Sequence, residues 1–327
     1  MKPKRVAEVL ENLFSTRWPP FLWGPPGVGK SSVVRAVAAK LNLSLIDLRA
    51  SLLDPTDLRG IPTVEGGNAR WCPPDFLPRG TNTSGILFLD ELNVAPPLVQ
   101  ASLYQLTLDR RIGEYQLPDG WRIAAAGNRA EDGSVTFRMP AALANRFVHI
   151  EFEADFEDWR NWAVGKDIHP WVVSFLSLRK ELLLSLTKTE RGFPTPRSWE
   201  MVSDILKTVG DHRTAQDILV GTIGEAAAIE FSGFCDRAIS EKAILKILAD
   251  PENASLPDKL GDLYAVVSYV TFSAKSPGVL EAAGTLLNRL KPEMAVLLLR
   301  NLIQKEPRFA LQKKTADFMR RHKDLIR

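Results

Sequence analysis

A glycine-rich loop that ends in a lysine and a serine is the part of this chain best suited to bind phosphate. Residues 24–31 read G-P-P-G-V-G-K-S and match the pattern G-x-x-x-x-G-K-[ST], in which backbone N–H groups surround nucleotide phosphates. The positive end of the helix that follows would face the same charge. In this pattern Lys30 reaches the β- and γ-phosphates and the Ser31 hydroxyl ligates Mg²⁺. The predicted nucleotide-binding residues are Gly24, Pro25, Pro26, Gly27, Val28, Gly29, Lys30, Ser31 and Ser32.

The residues on either side of this loop favour a strand before it and a helix after it. An apolar run at residues 21–23 precedes the loop, and Val33, Val37 and Leu41 then recur at helical spacing. A glycine-rich turn that binds nothing is the alternative. It is disfavoured because a second motif follows.

That second motif is a pair of acidic residues after a short apolar run. Residues 86–89 read I-L-F-L, which is typical of a strand buried on both faces, and Asp90 and Glu91 follow. Because the carboxyl ends of parallel strands face the ligand crevice, Asp90 could hold Mg²⁺ and Glu91 could orient and polarise the water that attacks the γ-phosphate. In isolation, a buried strand ending in a solvated turn would be the commoner interpretation.

Asn128 ends another run of small apolar residues, at positions 123–127. If this run forms a neighbouring parallel strand, the amide of Asn128 would emerge on the same edge of the sheet as Asp90. It could there hold the attacking water or an oxygen of the γ-phosphate. Taken alone, Gly127-Asn128 is an ordinary turn signal.

Together these motifs resemble the AAA+ ATPases, and within them the MoxR-like, dynein-related group that includes the CbbQ, NorQ and GvpN proteins. The resemblance is dense over residues 20–151. It is carried by L-D-P-T-D-L-R-G-I-P at 53–62, D-E-L-N at 90–93, A-P-P at 95–97, Gly127-Asn128, and A-N-R-F at 144–147. It implies that Asn128 acts as a sensor of the γ-phosphate and that Arg146 acts as an arginine finger.

Arg146 directly precedes a predicted final strand at residues 147–150, which would place it at the edge of the domain. A guanidinium set against the γ-phosphoryl group can be worth about 10³ to 10⁵ in rate. An arginine at the domain edge would serve the site of a neighbouring subunit. The resemblance accordingly implies a ring of identical subunits, most often six. An exposed surface arginine without a role is the alternative.

Arg197 is a further candidate, at the start of a predicted helix. Thr195 suits the N-cap and Pro196 the first helical position, so Arg197 places a positive charge where the helix dipole disfavours it. The resemblance implies that this arginine contacts the γ-phosphate within its own subunit. An ion pair with Glu200, three residues on, is the alternative.

The pattern of apolar residues predicts an α/β fold, in which a P-loop parallel sheet flanked by helices is followed by an all-α lid and a C-terminal helical region. We expect a nucleotide-binding domain at 1–152, with insertions at about 52–85 and 109–120, a helical lid at 153–232 and a helical extension at 233–327. The second insertion resembles a short hairpin with Asp119-Gly120 after its second run. Helices are predicted at 171–186, 197–209, 215–231, 242–248, 260–272 and 279–290.

Composition and charge indicate an intracellular protein. No apolar run suits a signal peptide or a membrane span, and the two cysteines, Cys72 and Cys235, are far apart, so we expect a cytoplasmic protein with neither disulfide nor zinc site. The net charge of +3 is too small to indicate a nucleic-acid partner. The basic residues of the last fifteen positions are better explained as the solvated face of a terminal helix.

The function predicted from these observations is hydrolysis of Mg-ATP by a ring that remodels or activates a partner protein, as a chaperone does. The resemblance suggests a von Willebrand factor A domain protein as that partner. A nucleotide-gated scaffold with negligible turnover, a nucleic-acid-stimulated NTPase and a P-loop kinase remain alternatives. A dinucleotide-binding enzyme is least favoured, because the first loop lacks G-x-G-x-x-G. The choice between ATP and GTP stays open.

Overall fold

The buried apolar runs of the first half form one parallel sheet. A computed structural model describes residues 1–80, 83–132, 136–186 and 191–326, without the side chains of residues 325 and 326. Residues 81–82, in the predicted insertion 52–85, and Arg327, in the basic C-terminal group, lie outside the described residues. The chain divides into two units, Met1–Ala154 and Asp155–Arg327.

The first unit alternates strands and helices. Its elements are α1 (Pro3–Phe14), β1 (Pro20–Trp23), α2 (Lys30–Lys40), β2 (Ser44–Arg49), α3 (Pro55–Arg59), β3 (Ile61–Glu65), β4 (Asn68–Cys72), β5 (Gly85–Asp90), α4 (Pro97–Asp109), β6 (Arg111–Ile112), β7 (Tyr115–Gln116), β8 (Trp121–Gly127), α5 (Ala141–Ala144) and β9 (Val148–Glu151), with 3₁₀ turns at Ala50–Leu52 and Ala130–Asp132.

Five of these strands form the parallel sheet in the order β2-β5-β8-β1-β9. The central strands β5 and β8 are almost wholly buried, which explains their continuous apolar sequence. Since all five strands run in one direction, the residues that follow β1, β5 and β8 meet at one edge of the sheet. The fold class predicted for the first half is confirmed.

The strand β2, at one end of the sheet, was not predicted from the sequence. Ser44 and Arg49 are exposed, the side chain of Asp47 keeps only 30% of its accessible surface, and Leu48 alone is buried. A strand this polar carries little apolar signal. Its pairing with the buried strand β5 places it in the sheet nonetheless.

Both predicted insertions contain antiparallel hairpins. In the first, β3 pairs with β4 around Gly66 and Gly67, both of which have positive φ, as a tight hairpin turn requires. In the second, β6 pairs with β7, and the chain reverses at Gly113. The turn therefore precedes the second strand, and Asp119-Gly120 leads into β8 instead of closing the hairpin.

The second unit is helical, as expected. Its elements are α6 (Phe156–Gly165), α7 (Pro170–Leu178), α8 (Pro196–Val209), α9 (Gln216–Ile223), α10 (Glu225–Arg237), α11 (Glu241–Ala249), α12 (Leu260–Phe272), α13 (Val279–Leu286), α14 (Pro292–Lys305), α15 (Lys313–Arg321) and α16 (Lys323–Ile326), with 3₁₀ turns at Lys180–Leu183 and Pro307–Leu311.

Three predicted helices in this unit were too long. The helix expected over 215–231 is two helices, because Gly224 takes a positive φ between α9 and α10. The one expected over 171–186 ends at Leu178, and a 3₁₀ turn follows. The one expected over 279–290 ends at Leu286. Among the described residues, every helix is too short or too polar to cross a bilayer.

Candidate functional site

The phosphate loop lies between the end of β1 and the start of α2. Gly27 and Gly29 have φ values of 75° and 107°, which a side chain would disfavour. Gly29 is the N-cap of α2, so the helix begins at Lys30. The backbone N–H groups of the first helical turn have no partner within a helix and therefore point toward the loop. This arrangement suits an anion.

Lys30 is 92% buried, and its ammonium group lies inside the loop. Its Nζ donates hydrogen bonds to the carbonyl oxygens of Gly24 at 2.6 Å and Pro25 at 3.0 Å. It also lies 2.9 Å from Oδ1 of Asn128, at the end of β8. The structure therefore brings together Lys30 and Asn128, which are 98 positions apart in the sequence.

Ser31 and Asp90 also meet at this edge. The Ser31 hydroxyl donates to Oδ2 of Asp90 at 2.7 Å, and Oδ1 of Asp90 accepts from the backbone N–H of Glu91 at 2.9 Å. A hydroxyl and a carboxylate so placed are the protein ligands that Mg²⁺ takes when phosphates complete its shell. The site therefore offers a hard, oxygen-donating pair next to the phosphate loop.

A neighbouring acid responds to the charge of this pair. Asp47 on β2 has its pKa raised above the usual value, by burial first and by the charge of Asp90 second, while Arg35 and Arg49 lower it. Burial is the larger cause of this shift, and the charge of Asp90 adds to it. The Ser31 hydroxyl and the Asp90 carboxylate are oxygen donors of the kind that Mg²⁺ takes, so the residues present fit Mg²⁺.

Glu91 adopts an unusual backbone conformation. Its φ is +57°, in the left-handed region that residues with a side chain seldom occupy. Its carboxylate accepts a hydrogen bond from the hydroxyl of Ser51, in the 3₁₀ turn after β2. Local strain of this kind concentrates at functional sites. Ser51 was not among the predicted site residues, because a single serine belongs to no recognisable motif.

A second polar residue that pattern reading left without a role aligns Asn128. The side chain of Asn93 donates to the carbonyl oxygen of Asn128 at 2.7 Å and accepts from its backbone N–H at 3.1 Å. Asn93 is 96% buried. A Cβ at Gly127 would lie 2.3 Å from the Asn93 amide oxygen, so this position has no room for a side chain. Asn93 thus fixes the backbone that carries Asn128.

Arg146 lies at the opposite edge of the sheet from the phosphate loop. It follows α5 and precedes β9, whose first residue, Val148, pairs with Pro20 at the start of β1. The phosphate loop begins where β1 ends, and a strand of four residues spans about 10 Å. The side chain of Arg146 is exposed.

Arg197 lies in the first turn of α8, in the helical unit. Thr195 is the N-cap of this helix, and Pro196 is its first residue, as predicted. Arg197 is exposed, and among the described residues its side chain forms neither the ion pair with Glu200 nor any other hydrogen bond or ion pair. The local alternative to a functional role for Arg197 is therefore absent from the structure.

Comparisons with known families agree with this geometry. Residues 19–147 match the AAA domain of the dynein-related subfamily. Midasin of Giardia intestinalis is 30% identical over 223 residues, which are 64% of this chain and 4% of midasin. The denitrification regulatory protein NirQ of Stutzerimonas stutzeri is 29% identical over 155 residues, or 44% of this chain and 56% of NirQ.

Solved structures with related folds are more distant. NtrX from Brucella abortus with ADP superimposes with a TM-score of 0.45 and 16% identity, covering 98% of this chain and 68% of that chain. The RuvB Holliday junction branch migration motor of Thermotoga maritima gives a TM-score of 0.37 and 17% identity, covering 86% and 87%. The fold class therefore rests on the strand order of this chain itself.

Proposed function

We propose, from the premise that this chain contains a dynein-related AAA domain and belongs with the MoxR-like AAA+ ATPases, that it hydrolyses Mg-ATP in a ring that remodels or activates a partner protein. One observation carries the catalytic part. Lys30, Ser31, Asp90, Glu91 and Asn128 come from three separate segments and meet at the carboxyl edge of one parallel sheet.

Each of these residues has a role that its geometry suits. The glycine-rich loop and the first turn of α2 bind the phosphates, and Lys30 neutralises the β- and γ-phosphates. Ser31 and Asp90 would hold Mg²⁺, which supplies charge neutralisation on the phosphates when bound. Glu91 orients and polarises the attacking water. Asn128, aligned by Asn93, holds that water or the γ-phosphate.

The position of Arg146 supports a site shared between subunits. Because it lies at the amino edge of the sheet, away from the phosphate loop of its own subunit, an arginine finger there would act on the γ-phosphate of a neighbour. A closed ring, six-membered by family resemblance, places every Arg146 against the next site. Arg197 would act within its own subunit and link the state of the nucleotide to the helical lid at 153–232.

The β3–β4 hairpin is the proposed contact with the partner protein. It exposes large apolar side chains, namely Ile61 at 73%, Val64 at 80% and Trp71 at 41%. Exposed apolar side chains grouped on one hairpin favour protein contact. A von Willebrand factor A domain protein is the partner we propose, from family resemblance.

One observation favours the rival function of a nucleotide-gated scaffold with negligible turnover. The Ser51 hydroxyl donates a hydrogen bond to the Glu91 carboxylate. A carboxylate that already accepts this hydrogen bond is less available to bind a water molecule. The two functions differ in steady-state release of phosphate by the unmodified protein, which a scaffold would lack.

Glu91→Gln tests the catalytic proposal. Because the amide keeps the shape of the side chain but cannot polarise water as a carboxylate does, we expect ATP binding within about twofold of the unmodified protein and a loss of turnover of about 10² or more. Nucleotide binding is measured by titration calorimetry and turnover by phosphate release. Glu153→Gln, an exposed carboxylate after β9, is the matched control and should leave both unchanged. Undiminished hydrolysis by Glu91→Gln would contradict the assigned role.

A further inference from the structure

Four rings lie along one face of β1 and β9. Phe21 and Trp23 lie two positions apart on β1. Phe147, which directly precedes β9, lies two positions before His149, and His149 pairs in register with Phe21. The ring centroids lie 4.3 Å apart for Phe21 and Trp23, 5.3 Å for Phe21 and Phe147, and 5.9 Å for Trp23 and His149. Three of these rings are apolar or donor-only, so His149 is the member that can bridge two polar groups.

Both nitrogens of the His149 ring have partners. Nε1 of Trp23 lies 2.8 Å from Nδ1 of His149, and Nε2 of His149 lies 2.9 Å from the carbonyl oxygen of Ala144. An indole N–H can only donate, so Nδ1 must accept. The proton of the neutral ring therefore sits on Nε2, which donates to Ala144. This is the one tautomer that satisfies both contacts.

These two bonds connect the opposite edges of the sheet. Trp23 is the last residue of β1, directly before Gly24 of the phosphate loop. Ala144 is the last residue of α5, two positions before Arg146. The imidazole thus ties the base of the phosphate loop to the segment that carries Arg146.

We propose that His149 is a positioning residue that sets the Arg146 segment relative to the phosphate loop of the same subunit, so that nucleotide bound in one site governs how that subunit presents Arg146 to the next. This inference rests on the proposed shared site. The connection is short, because Trp23 moves with Gly24, and the peptide bonds after Ala144 transmit a shift of the imidazole to Arg146. It supplies a physical route by which neighbouring sites of a ring hydrolyse ATP one after another.

The test mixes two inactive variants, so that the nucleotide site of one chain and the Arg146 of the other can be examined separately. A donor chain carries Glu91→Gln, which keeps Arg146 but cannot turn over. An acceptor chain carries Arg146→Ala, which keeps its own Glu91 but lacks the finger. In the mixture, turnover arises where an acceptor site receives the Arg146 of a donor.

His149→Phe is then added to one chain at a time. In the donor it removes both hydrogen bonds, and we expect the restored turnover to fall about tenfold or more, since small displacements of a positioned group have effects of this size. In the acceptor, where no Arg146 is present, we expect a change of less than about twofold. Trp23→Phe in the donor removes the indole donor alone and should reproduce part of the loss. Val148→Ala, on the same strand, is the matched control for the donor and should preserve turnover.

His149 is exposed, so we expect its variants to fold. A loss of equal size in donor and acceptor would overturn the proposal in favour of a merely structural role, and so would an undiminished donor. Failure of the parent mixture to restore any turnover would overturn the shared site itself, an outcome distinct from a failure of His149 alone.

Discussion

At the scale of single residues, the site depends on polar side chains that hold other side chains in place. Asn93 is buried and makes two hydrogen bonds to the backbone of Asn128, which is itself partly buried. A buried amide that loses its partners costs about 1–3 kcal/mol per unsatisfied group. Asn93 therefore serves both the stability of the β8 terminus and the placement of Asn128.

Asn93→Ala should separate this role from nucleotide binding. With the backbone of Asn128 released, we expect turnover to fall about ten- to a hundredfold while ATP affinity changes less, because the phosphate loop keeps its own contacts. Phosphate release and calorimetric titration measure the two effects. Asn12→Ala, on the exposed face of α1, is the control. An equal loss of affinity and turnover would place Asn93 in ground-state binding instead.

Site residues whose partners are close in the sequence could be predicted, and those whose partners are distant could not. The types and spacing within residues 24–31 and 90–91 identify chemistry directly, because those groups are neighbours in the chain. Ser51 and Asn93 acquire their roles from partners 40 and 35 positions away. A polar residue of this kind looks like any other until the strands pair.

At the scale of elements, α8 depends on the cap that positions Arg197. The Thr195 hydroxyl accepts from the backbone N–H of Ser198 at 3.0 Å, and the Ser198 hydroxyl accepts from the Thr195 N–H at 2.7 Å. This reciprocal pair is a capping box, and it holds the first turn in which Arg197 lies.

Thr195→Ala should destabilise the helical unit by about 0.5–2 kcal/mol, because the buried cap loses its side-chain acceptor. Chemical unfolding of the full chain measures the change. Thr208→Ala, near the exposed end of the same helix, is the matched control, and we expect an effect under about 0.5 kcal/mol there. Equal effects at the two positions would rule out the cap as the cause.

Sequence predicted those elements whose signals are local. The N-terminus of α8 followed from Thr195 and Pro196, because capping involves residues a few positions apart. In contrast, β2 is half polar and is a strand because β5 lies beside it. The break at Gly224 was also missed, since glycine inside an apolar helical pattern does not reveal its φ.

At the scale of the whole molecule, a partly buried histidine links stability to pH. His169 caps α7, accepting from the backbone N–H of Trp171, and its pKa is lowered to about 4 by burial and, secondarily, by Lys207. The neutral ring is therefore favoured in the folded state. Between about pH 6.5 and pH 4, the unfolded chain binds the proton more readily, so stability falls as the pH falls.

The expected loss across that range is of the order of 3 kcal/mol at most. It is measured as the free energy of unfolding at several pH values, and His169→Asn is the comparison because asparagine can still cap the helix. The variant should lose less stability than the unmodified protein between pH 6.5 and 4. An identical pH dependence in the two proteins would exclude His169 as the source.

The most direct test of the shared site is ATP turnover against protein concentration, with Arg146→Ala and unmodified subunits mixed in varying ratio. We predict that turnover per subunit rises with concentration, and that Arg146→Ala binds ATP but suppresses the mixture by more than its share of the subunits. Turnover per subunit that is independent of concentration, together with full activity of Arg146→Ala, would contradict a site completed between neighbours.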